Sequence, residues 1–140
     1  MSGGDFFLDT NVVVYAFHSK DSAKQKAAGK LLETARDGKG YLSFQVVQEF
    51  VNLATRKFNP LPPVSEVRQV VEDILLPLCR AMPSCTHYLD ALDTHRLTRF
   101  AWYDCLILQA AVDARCGTLY SEDFKDGFHY RGVTIVNPFR

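Results

Sequence analysis

The feature that most constrains the fold of this chain is a short apolar run, Phe6–Leu8, that stops at the acidic residue Asp9. Two small polar residues, Thr10 and Asn11, follow before the apolar pattern resumes. This order predicts a buried strand that ends at Asp9 and passes directly into a helix capped by Thr10 or Asn11. Because ligands in open α/β sheets bind outside the carboxyl ends of parallel strands, Asp9 occupies a position typical of an active site.

Strand-like and helix-like segments alternate along the rest of the chain. Further strands are predicted at 41–43, 118–121 and Val133–Val136, with a short additional one starting at Leu78. The predicted helices are 12–17, about 21–37, 45–58, 65–77, 86–100 and 105–114. Because strands that alternate with helices form mostly parallel sheets covered on both faces, the pattern predicts a three-layer α/β/α domain with a central, mostly parallel sheet.

The second half of the chain allows two finer predictions. The large apolar residues of the helix predicted over 86–100 are Tyr88, Leu89, Leu92 and Leu97. From their helical spacing we expect them to face the core, and we expect Asp90 and Asp93 to be exposed. The polar segment 124–131 is predicted to be a loop.

Length and composition exclude several classes of protein. At 140 residues the chain has the length of one domain, which we predict to span 1–140. Its 16 basic and 16 acidic residues cancel, so any contact with nucleic acid depends on a local site. No apolar run approaches the roughly 18 to 20 residues that span a bilayer, and we see no signal peptide. The four cysteines lack CxxC spacing and are expected to be reduced, so we predict a cytoplasmic protein.

Four acidic residues are predicted to meet at one edge of the sheet. Asp9 and Asp123 each follow a strand directly, so both belong at the carboxyl edge. Asp104 opens a nearly uncharged helix, and Glu49 lies beside the apolar stripe of another helix. Both helices are expected to start near the same edge, so four carboxylates can converge in one cleft.

Each of these acids also has an ordinary structural explanation. Asp9 and Asp104 can cap or begin a helix, where the helix dipole favours a negative charge. Asp123 can be a turn residue, and Glu49 can pair with Arg56. Four uncompensated carboxylates at one edge would nevertheless repel one another and raise one another's pKa values. Their convergence therefore favours a shared chemical role.

A divalent metal ion would relieve this repulsion. Oxygen ligands without a His or Cys cluster favour Mg²⁺ or Mn²⁺ over zinc. Such a site activates a bound water for attack on phosphorus and stabilises the leaving oxygen. Thr10, Asn11 and Ser121 lie beside the acids and are expected to position water or phosphate.

A family resemblance rests on four segments: LDTNV at 8–12, QVVQEFVN at 45–52, WYDCLI at 102–107 and LYSEDF at 119–124. In this order they resemble the acidic motifs of PIN-domain nucleases, and more closely those of VapC toxins from prokaryotic toxin–antitoxin pairs. The ending GVTIVNPF at 132–139 is similar to the last strand of that family. The resemblance spans essentially the whole chain and implies a PIN-like version of the predicted α/β fold.

The resemblance implies a metal-dependent endoribonuclease that leaves a 3′-hydroxyl and a 5′-phosphate. It also implies a homodimer that is silenced by a cognate antitoxin, whose C-terminal segment lies across the active site. The residues that match the acidic positions of the family are Asp9, Glu49, Asp104 and Asp123. Asp126 is a further candidate acid, because family members vary in this loop, and Glu122 is expected to point away.

Binding of RNA would require cations around a cleft that is itself negative. The candidate cations are Arg56, Lys57, Arg96, Arg99, Lys125 and Arg131. Each can instead be ordinary surface charge, which is the more common role of such residues. Trp102 or Tyr103 can stack on a base, although burial beside the core helix is the alternative for Trp102.

Two other functions remain open at the level of sequence. A haloacid-dehalogenase-type phosphatase also places an Asp after its first strand, but it uses an Asp-x-Asp motif, and here the second position is Asn11. A non-catalytic PIN-like domain that binds metal or a partner through the same acids is the second alternative, since a sequence cannot demonstrate turnover.

Overall fold

The computed structural model describes residues 4–140, whose strands form a five-stranded central sheet. The strands are β1 (Phe6–Leu8), β2 (Gly40–Tyr41), β3 (Thr118–Tyr120), β4 (His129–Tyr130) and β5 (Val133–Val136). Their spatial order is β2-β1-β3-β5-β4, and every neighbouring pair is parallel except β4 with β5. The prediction of a central, mostly parallel sheet is therefore confirmed.

The helices fill the connections between these strands. They are α1 (Thr10–Phe17), α2 (Ser22–Thr34), α3 (Phe44–Arg56), α4 (Val64–Val70), α5 (Leu76–Leu78), α6 (His87–Thr98) and α7 (Trp102–Asp113). Helix α1 packs against α2 and α3, while α6 packs against α7, which in turn contacts β3. The arrangement is a three-layer α/β/α fold, as the alternation of elements predicts.

The core is built from the central strands and α7. All three residues of β1 are buried, as expected for a strand covered on both faces. Phe7 of β1 is in register with Leu119 of β3, which is in register with Ile135 of β5. Helix α7 is buried along the whole run from Cys105 to Ala111, because it is apolar on nearly every side. This placement fixes the start of α7, and with it Asp104, beside the carboxyl edge of the sheet.

Two secondary-structure predictions are wrong in detail, one of a strand and one of a loop. The segment after Leu78 is not a strand: Leu78 ends a helical turn, and only a single bridge joins Ser43 to Ala81. The segment predicted as a loop over 124–131 contains β4, which pairs with β5 through a two-residue turn. Arg131 and Gly132 both have positive φ in that turn, which suits the right-handed twist of a tight hairpin.

The predicted inward face of the helix over 86–100 is also wrong. Tyr88 and Leu89 of α6 are 65% and 64% exposed, and Leu92 and Leu97 are exposed as well. Helix α6 instead turns its small residues, Ala91 and Thr94, toward α7 and the core. The large apolar residues stay exposed because α6 lies at the outside of the α6–α7 pair.

Among residues 4–140, no helix combines the length and apolar character that crossing a membrane requires. All four cysteines are free thiols. The prediction of one domain over 1–140 stays a prediction, and its first three residues lie outside the described part of the chain.

Candidate active site

Asp9 occupies the junction between β1 and α1. It is the N-cap of α1, and its Oδ1 accepts a hydrogen bond from the Thr10 backbone N–H at 2.7 Å. Its Oδ2 accepts a hydrogen bond from the Ser121 hydroxyl at 2.7 Å. The side chain is buried, so a charge here must be stabilised by these donors or by a cation.

The end of β3 supplies a second group of polar residues. The Ser121 hydroxyl is fully buried, and it accepts a hydrogen bond from the Asp123 backbone N–H at 3.1 Å. The Asn11 side-chain amide donates to Asp123 Oδ2 at 3.0 Å, and Asn11 Oδ1 accepts from the Glu122 backbone N–H at 3.3 Å. Because β1 and β3 are adjacent parallel strands, Asp9 and Asp123 meet at one corner and share Ser121 and Asn11 as partners.

Glu49 reaches the same corner from α3. The Thr10 hydroxyl donates to Glu49 Oε1 in a short hydrogen bond, which joins α1 to α3. Gln45, one helical turn earlier, donates its amide to Glu49 Oε2 at 3.3 Å and to the Tyr103 backbone carbonyl at 3.1 Å. Gln45 therefore links Glu49 to the residue that precedes Asp104.

Asp104 lies in the first turn of α7 and is partly buried. Burial raises the pKa of Asp104, and the nearby carboxylates of Asp123 and Glu49 raise that pKa further. The helix N-terminus favours a negative charge at this position, so the local backbone and the neighbouring acids have opposite effects on the carboxylate. The structure thus brings Asp104 into the electrostatic field of the other acids.

Asp9 is the most strongly perturbed acid of the site. Loss of hydration on burial raises its pKa to about 7, and the charges of Asp104 and Glu49 act in the same direction. The hydrogen bonds from Ser121 and Thr10 oppose this shift without cancelling it. A carboxylate whose pKa is raised mainly by burial, and further by neighbouring acids, is typical of functional sites.

The donor set of this corner fits a divalent cation by its chemistry. It consists of carboxylate, hydroxyl and amide oxygens, which suit Mg²⁺ or Mn²⁺. Within the described part of the chain, none of the four acids takes part in an ion pair, so their charges are not neutralised by protein cations. In residues 4–140 no three His, Cys, Asp or Glu side chains form a ready metal-binding group.

The remaining acidic candidates lie in other contacts. Asp126 accepts a hydrogen bond from the Asn137 backbone N–H at 2.8 Å and lies 3.8 Å from the Arg140 guanidinium. It therefore ties the loop after β3 to the end of the chain. Glu122 forms an ion pair with Lys24 and accepts a hydrogen bond from Tyr15 at 2.5 Å, which turns it away from the four acids.

The candidate cations are all exposed, and they occupy different positions relative to the acids. The exposed set is Arg56, Lys57, Arg96, Arg99, Lys125 and Arg131. Arg56 ends α3, about 10 Å along the helix axis from Glu49. Arg99 ends α6 in a left-handed conformation shortly before α7 begins, and Lys125 follows Asp123 by two residues. Trp102 is partly buried against Tyr88, whereas Tyr103 is 66% exposed.

Sequence reasoning assigned no role to two polar contacts beside the site. The sequence includes Gln45 in the segment QVVQEFVN but does not indicate its hydrogen bonds. Gln45 lies four residues before Glu49, which is the spacing at which side chains on one helix face meet. The Lys24–Glu122 pair joins residues that are far apart in sequence, so no local pattern could reveal it.

Comparisons with known proteins concern the family and the fold. The family model described as "PIN domain" matches residues 6–128. A structure of FitAB bound to an IR36 DNA fragment is 19% identical, covers 96% of each chain and has a TM-score of 0.65. A crystal structure of FitAcB from Neisseria gonorrhoeae is 18% identical, covers 96% of this chain and 98% of that one, and has a TM-score of 0.63. No curated protein matches the sequence.

Proposed function

The chain belongs to the PIN domain family, and on that premise we propose that it is a Mg²⁺- or Mn²⁺-dependent endoribonuclease that acts as the toxin of a toxin–antitoxin pair. The observation that carries the proposal is the meeting of Asp9, Glu49, Asp104 and Asp123 without a cationic partner. The charges of Asp104 and Glu49 raise the pKa of Asp9, and those of Asp123 and Glu49 raise the pKa of Asp104, which supports one shared electrostatic site.

Asp9, Glu49, Asp104 and Asp123 are the residues that would hold the metal, whose chemistry is to activate water and to stabilise charge on a phosphodiester. The chain's own polar residues prepare this arrangement. Ser121 and Asn11 orient the carboxylates of Asp9 and Asp123. Thr10 orients Glu49, and Gln45 joins the first turn of α7 to α3. This set of positioning contacts supports a site whose ligands are aligned in advance.

The proposal also includes a binding partner. We propose that a cognate antitoxin binds a homodimer of this chain. The resemblance to VapC toxins is its main support. The paired names of the similar structures, FitAB and FitAcB, are compatible with it. Tyr88, Leu89 and Leu92 share one face of α6 by their helical spacing and are all exposed. They add a physical reason, because exposed apolar residues grouped on one face are typical of a protein interface.

The phosphatase alternative has less support than the nuclease. It requires a second carboxylate two residues after Asp9, where this chain has Asn11. The amide of Asn11 donates to Asp123 and so serves a neighbouring acid rather than a phosphorylated aspartate. The non-catalytic alternative differs from the nuclease only in turnover, which makes cleavage the decisive measurement.

The test is cleavage of total cellular RNA by purified protein with Mg²⁺, Mn²⁺ or EDTA. Asp9→Asn and Asp104→Asn are compared with Asp93→Asn, which removes an exposed carboxylate of α6 outside the site. We expect metal-dependent cleavage that falls at least 100-fold in the two site variants and is unchanged in the control. Cleavage that persists in folded site variants would refute the assignment. Purification under denaturing conditions followed by refolding removes a bound antitoxin.

A further inference from the structure

Glu122 directly precedes Asp123 and contacts two helices on the outer side of the acidic corner. Its carboxylate forms an ion pair with Lys24 of α2 and accepts a hydrogen bond from the Tyr15 hydroxyl of α1 at 2.5 Å. Lys24 and Glu122 are 32% and 23% exposed, so water and salt screen this pair less than they screen a fully exposed one. Helices α1 and α2 are therefore joined to the loop after β3 at the residue next to a candidate metal ligand.

The Lys24 side chain is itself held by aromatic rings. Its Nζ lies 5.1 Å from the centroid of the Tyr15 ring and 5.7 Å from the centroid of the Phe139 ring. The two rings meet edge to face, with their centroids 5.3 Å apart. Because a cation is attracted to the face of an aromatic ring, these contacts hold the ammonium group where it meets Glu122. Lys24 therefore has a defined position, unlike a lysine on an open surface.

Asp123 depends on support from its neighbours because it is itself exposed. On its two sides, Ser121 is fully buried and Phe124 is 7% exposed. Asn11 accepts a hydrogen bond from the Glu122 backbone N–H and donates one to the Asp123 carboxylate. A displacement of Glu122 would therefore disturb the contact that holds the Asp123 carboxylate in the corner.

We propose, on the premise of the proposed metal site, that the side chains of Tyr15, Lys24 and Glu122 form a brace that positions Asp123 in the acidic corner and thereby strengthens metal binding there. Glu122 is a positioning residue in this arrangement. Its carboxylate contacts α1 and α2 rather than the other acids, and it acts through the backbone that it shares with Asp123. Replacing residues that orient metal ligands commonly weakens metal binding.

The charge of Lys24 separates positioning from a simple electrostatic effect. A lysine near a site for a divalent cation repels that ion, so electrostatics alone predicts that removing the charge strengthens metal binding. The brace predicts the opposite result, because Lys24→Met releases Glu122 and with it the loop that carries Asp123. Glu122→Gln does not separate the two effects, since loss of a negative charge and loss of the support both weaken binding.

The first experiment measures Mn²⁺ affinity by calorimetric titration, at a temperature well below the Tm of each variant. We expect Lys24→Met to bind Mn²⁺ about tenfold more weakly than wild type, the lower end of the effect of losing a supporting contact. Tyr15→Phe, which removes only the hydroxyl, should also weaken binding. Lys24→Arg keeps the charge and should retain most of the affinity. Lys26→Met, the same change at an exposed lysine of α2, is the matched control and should not weaken binding.

A second experiment needs neither metal nor RNA, so it separates this inference from the nuclease function. Backbone hydrogen exchange is followed by NMR in metal-free wild type and Lys24→Met. The Glu122 and Asp123 N–H groups, which donate to side chains of the corner, should exchange at least about tenfold faster in the variant. The Thr10 N–H, which donates to Asp9, should keep its exchange rate.

The two experiments have distinct negative outcomes. Equal or tighter Mn²⁺ binding in Lys24→Met, or unchanged exchange at Glu122 and Asp123, would overturn the brace and leave the nuclease intact. Equal losses of Mn²⁺ affinity in Lys24→Met and Lys26→Met would also overturn it. A wild type that neither binds Mn²⁺ nor cleaves RNA would refute the proposed function, and the exchange rates would then decide whether the brace positions Asp123.

Discussion

The two sides of the acidic corner are held in different ways. Asp9 and Asp123 lie just beyond adjacent parallel strands and share the hydroxyl of Ser121, which is fully buried. Glu49 and Asp104 lie on separate helices whose link beside the site is Gln45. The strand side is therefore fixed by the sheet, whereas the helix side depends on how α3 and α7 pack.

This difference indicates how the two sides should respond to substitution. On the strand side, a buried carboxylate and its donors form one network, so changes there should alter folding stability as well as activity. On the helix side, partial exposure lets water compensate for lost contacts. Changes there should leave stability nearly unaltered and act mainly on metal binding.

The largest effect is expected from the ionisation of Asp9. Its pKa in the folded state is about 7, above the ordinary value of about 3.9, so the folded protein binds the proton more tightly than the unfolded chain between these pH values. The contribution of Asp9 to stability is therefore greatest below pH 4 and falls as the pH rises to 7. Asp9→Asn removes this dependence. We expect it to gain up to about 4 kcal/mol relative to wild type between pH 4 and pH 7, measured by urea unfolding without metal.

Metal provides the control for this prediction. An ion that binds the folded site stabilises it by mass action, so millimolar Mn²⁺ at pH 7.5 should raise the Tm of wild type but not that of Asp9→Asn. A pH dependence that is equal in the two proteins would show that Asp9 is not the group responsible.

Removing the shared hydroxyl gives the next largest effect. Ser121→Ala leaves Asp9 Oδ2 without its closest donor and removes the acceptor of the Asp123 N–H. We expect a loss of about 1–3 kcal/mol in the free energy of unfolding at pH 5, because the Asp9 carboxyl is buried and loses a hydrogen-bond partner there. Ser84→Ala, whose hydroxyl is exposed, is the control and should change stability by less than about 0.5 kcal/mol. Equal losses of stability in the two variants would mean that the hydrogen bonds of Ser121 do not stabilise the strand side.

The strand side is also the part of the site that the sequence predicts best. Asp9 follows an apolar run directly, and the rule that parallel strands end at one edge brings it near Asp123 without further information. The same rule does not predict which side chains form hydrogen bonds with these acids. Ser121 was recognised as a neighbour of the acids, but the bond of its hydroxyl to Asp9, 112 residues earlier, depends on exact register.

Outside the acidic corner, helix α6 was harder to predict because periodicity identifies an apolar face without identifying what covers it. Leu89 and Leu92 have the spacing of a core-facing stripe, yet Ala91 and Thr94 occupy the buried side of α6. The small residues let α6 approach α7 closely and leave the large ones outside. The two-residue strand β4 escaped prediction for another reason, since it is too short to show alternation.

A smaller change in stability is expected at Asp104. Its pKa is raised by burial and by the charges of Asp123 and Glu49, so removing its charge relieves repulsion above neutral pH. Because the side chain is partly exposed, we expect Asp104→Asn to gain less than about 1 kcal/mol at pH 8 in thermal unfolding. This gain should shrink as the pH falls and the carboxyl becomes protonated. A loss of several kcal/mol would place Asp104 with the strand side instead.

The smallest change in stability is expected for Gln45→Ala, which tests whether one side chain aligns the helix side. Gln69→Ala is its matched control, since Gln69 donates to Asp73 four residues later at 3.0 Å, the same pairing without a site. Both variants should lose less than about 1 kcal/mol, because each removes hydrogen bonds of a single side chain that remain at least partly open to water. Only Gln45→Ala should weaken Mn²⁺ binding, by about tenfold in calorimetric titration, because Glu49 and the start of α7 lose their common support. Equal Mn²⁺ affinity in the two variants would mean that the packing of α3 against its neighbours is sufficient to position Glu49. In that case the two sides of the corner would be equally preorganised.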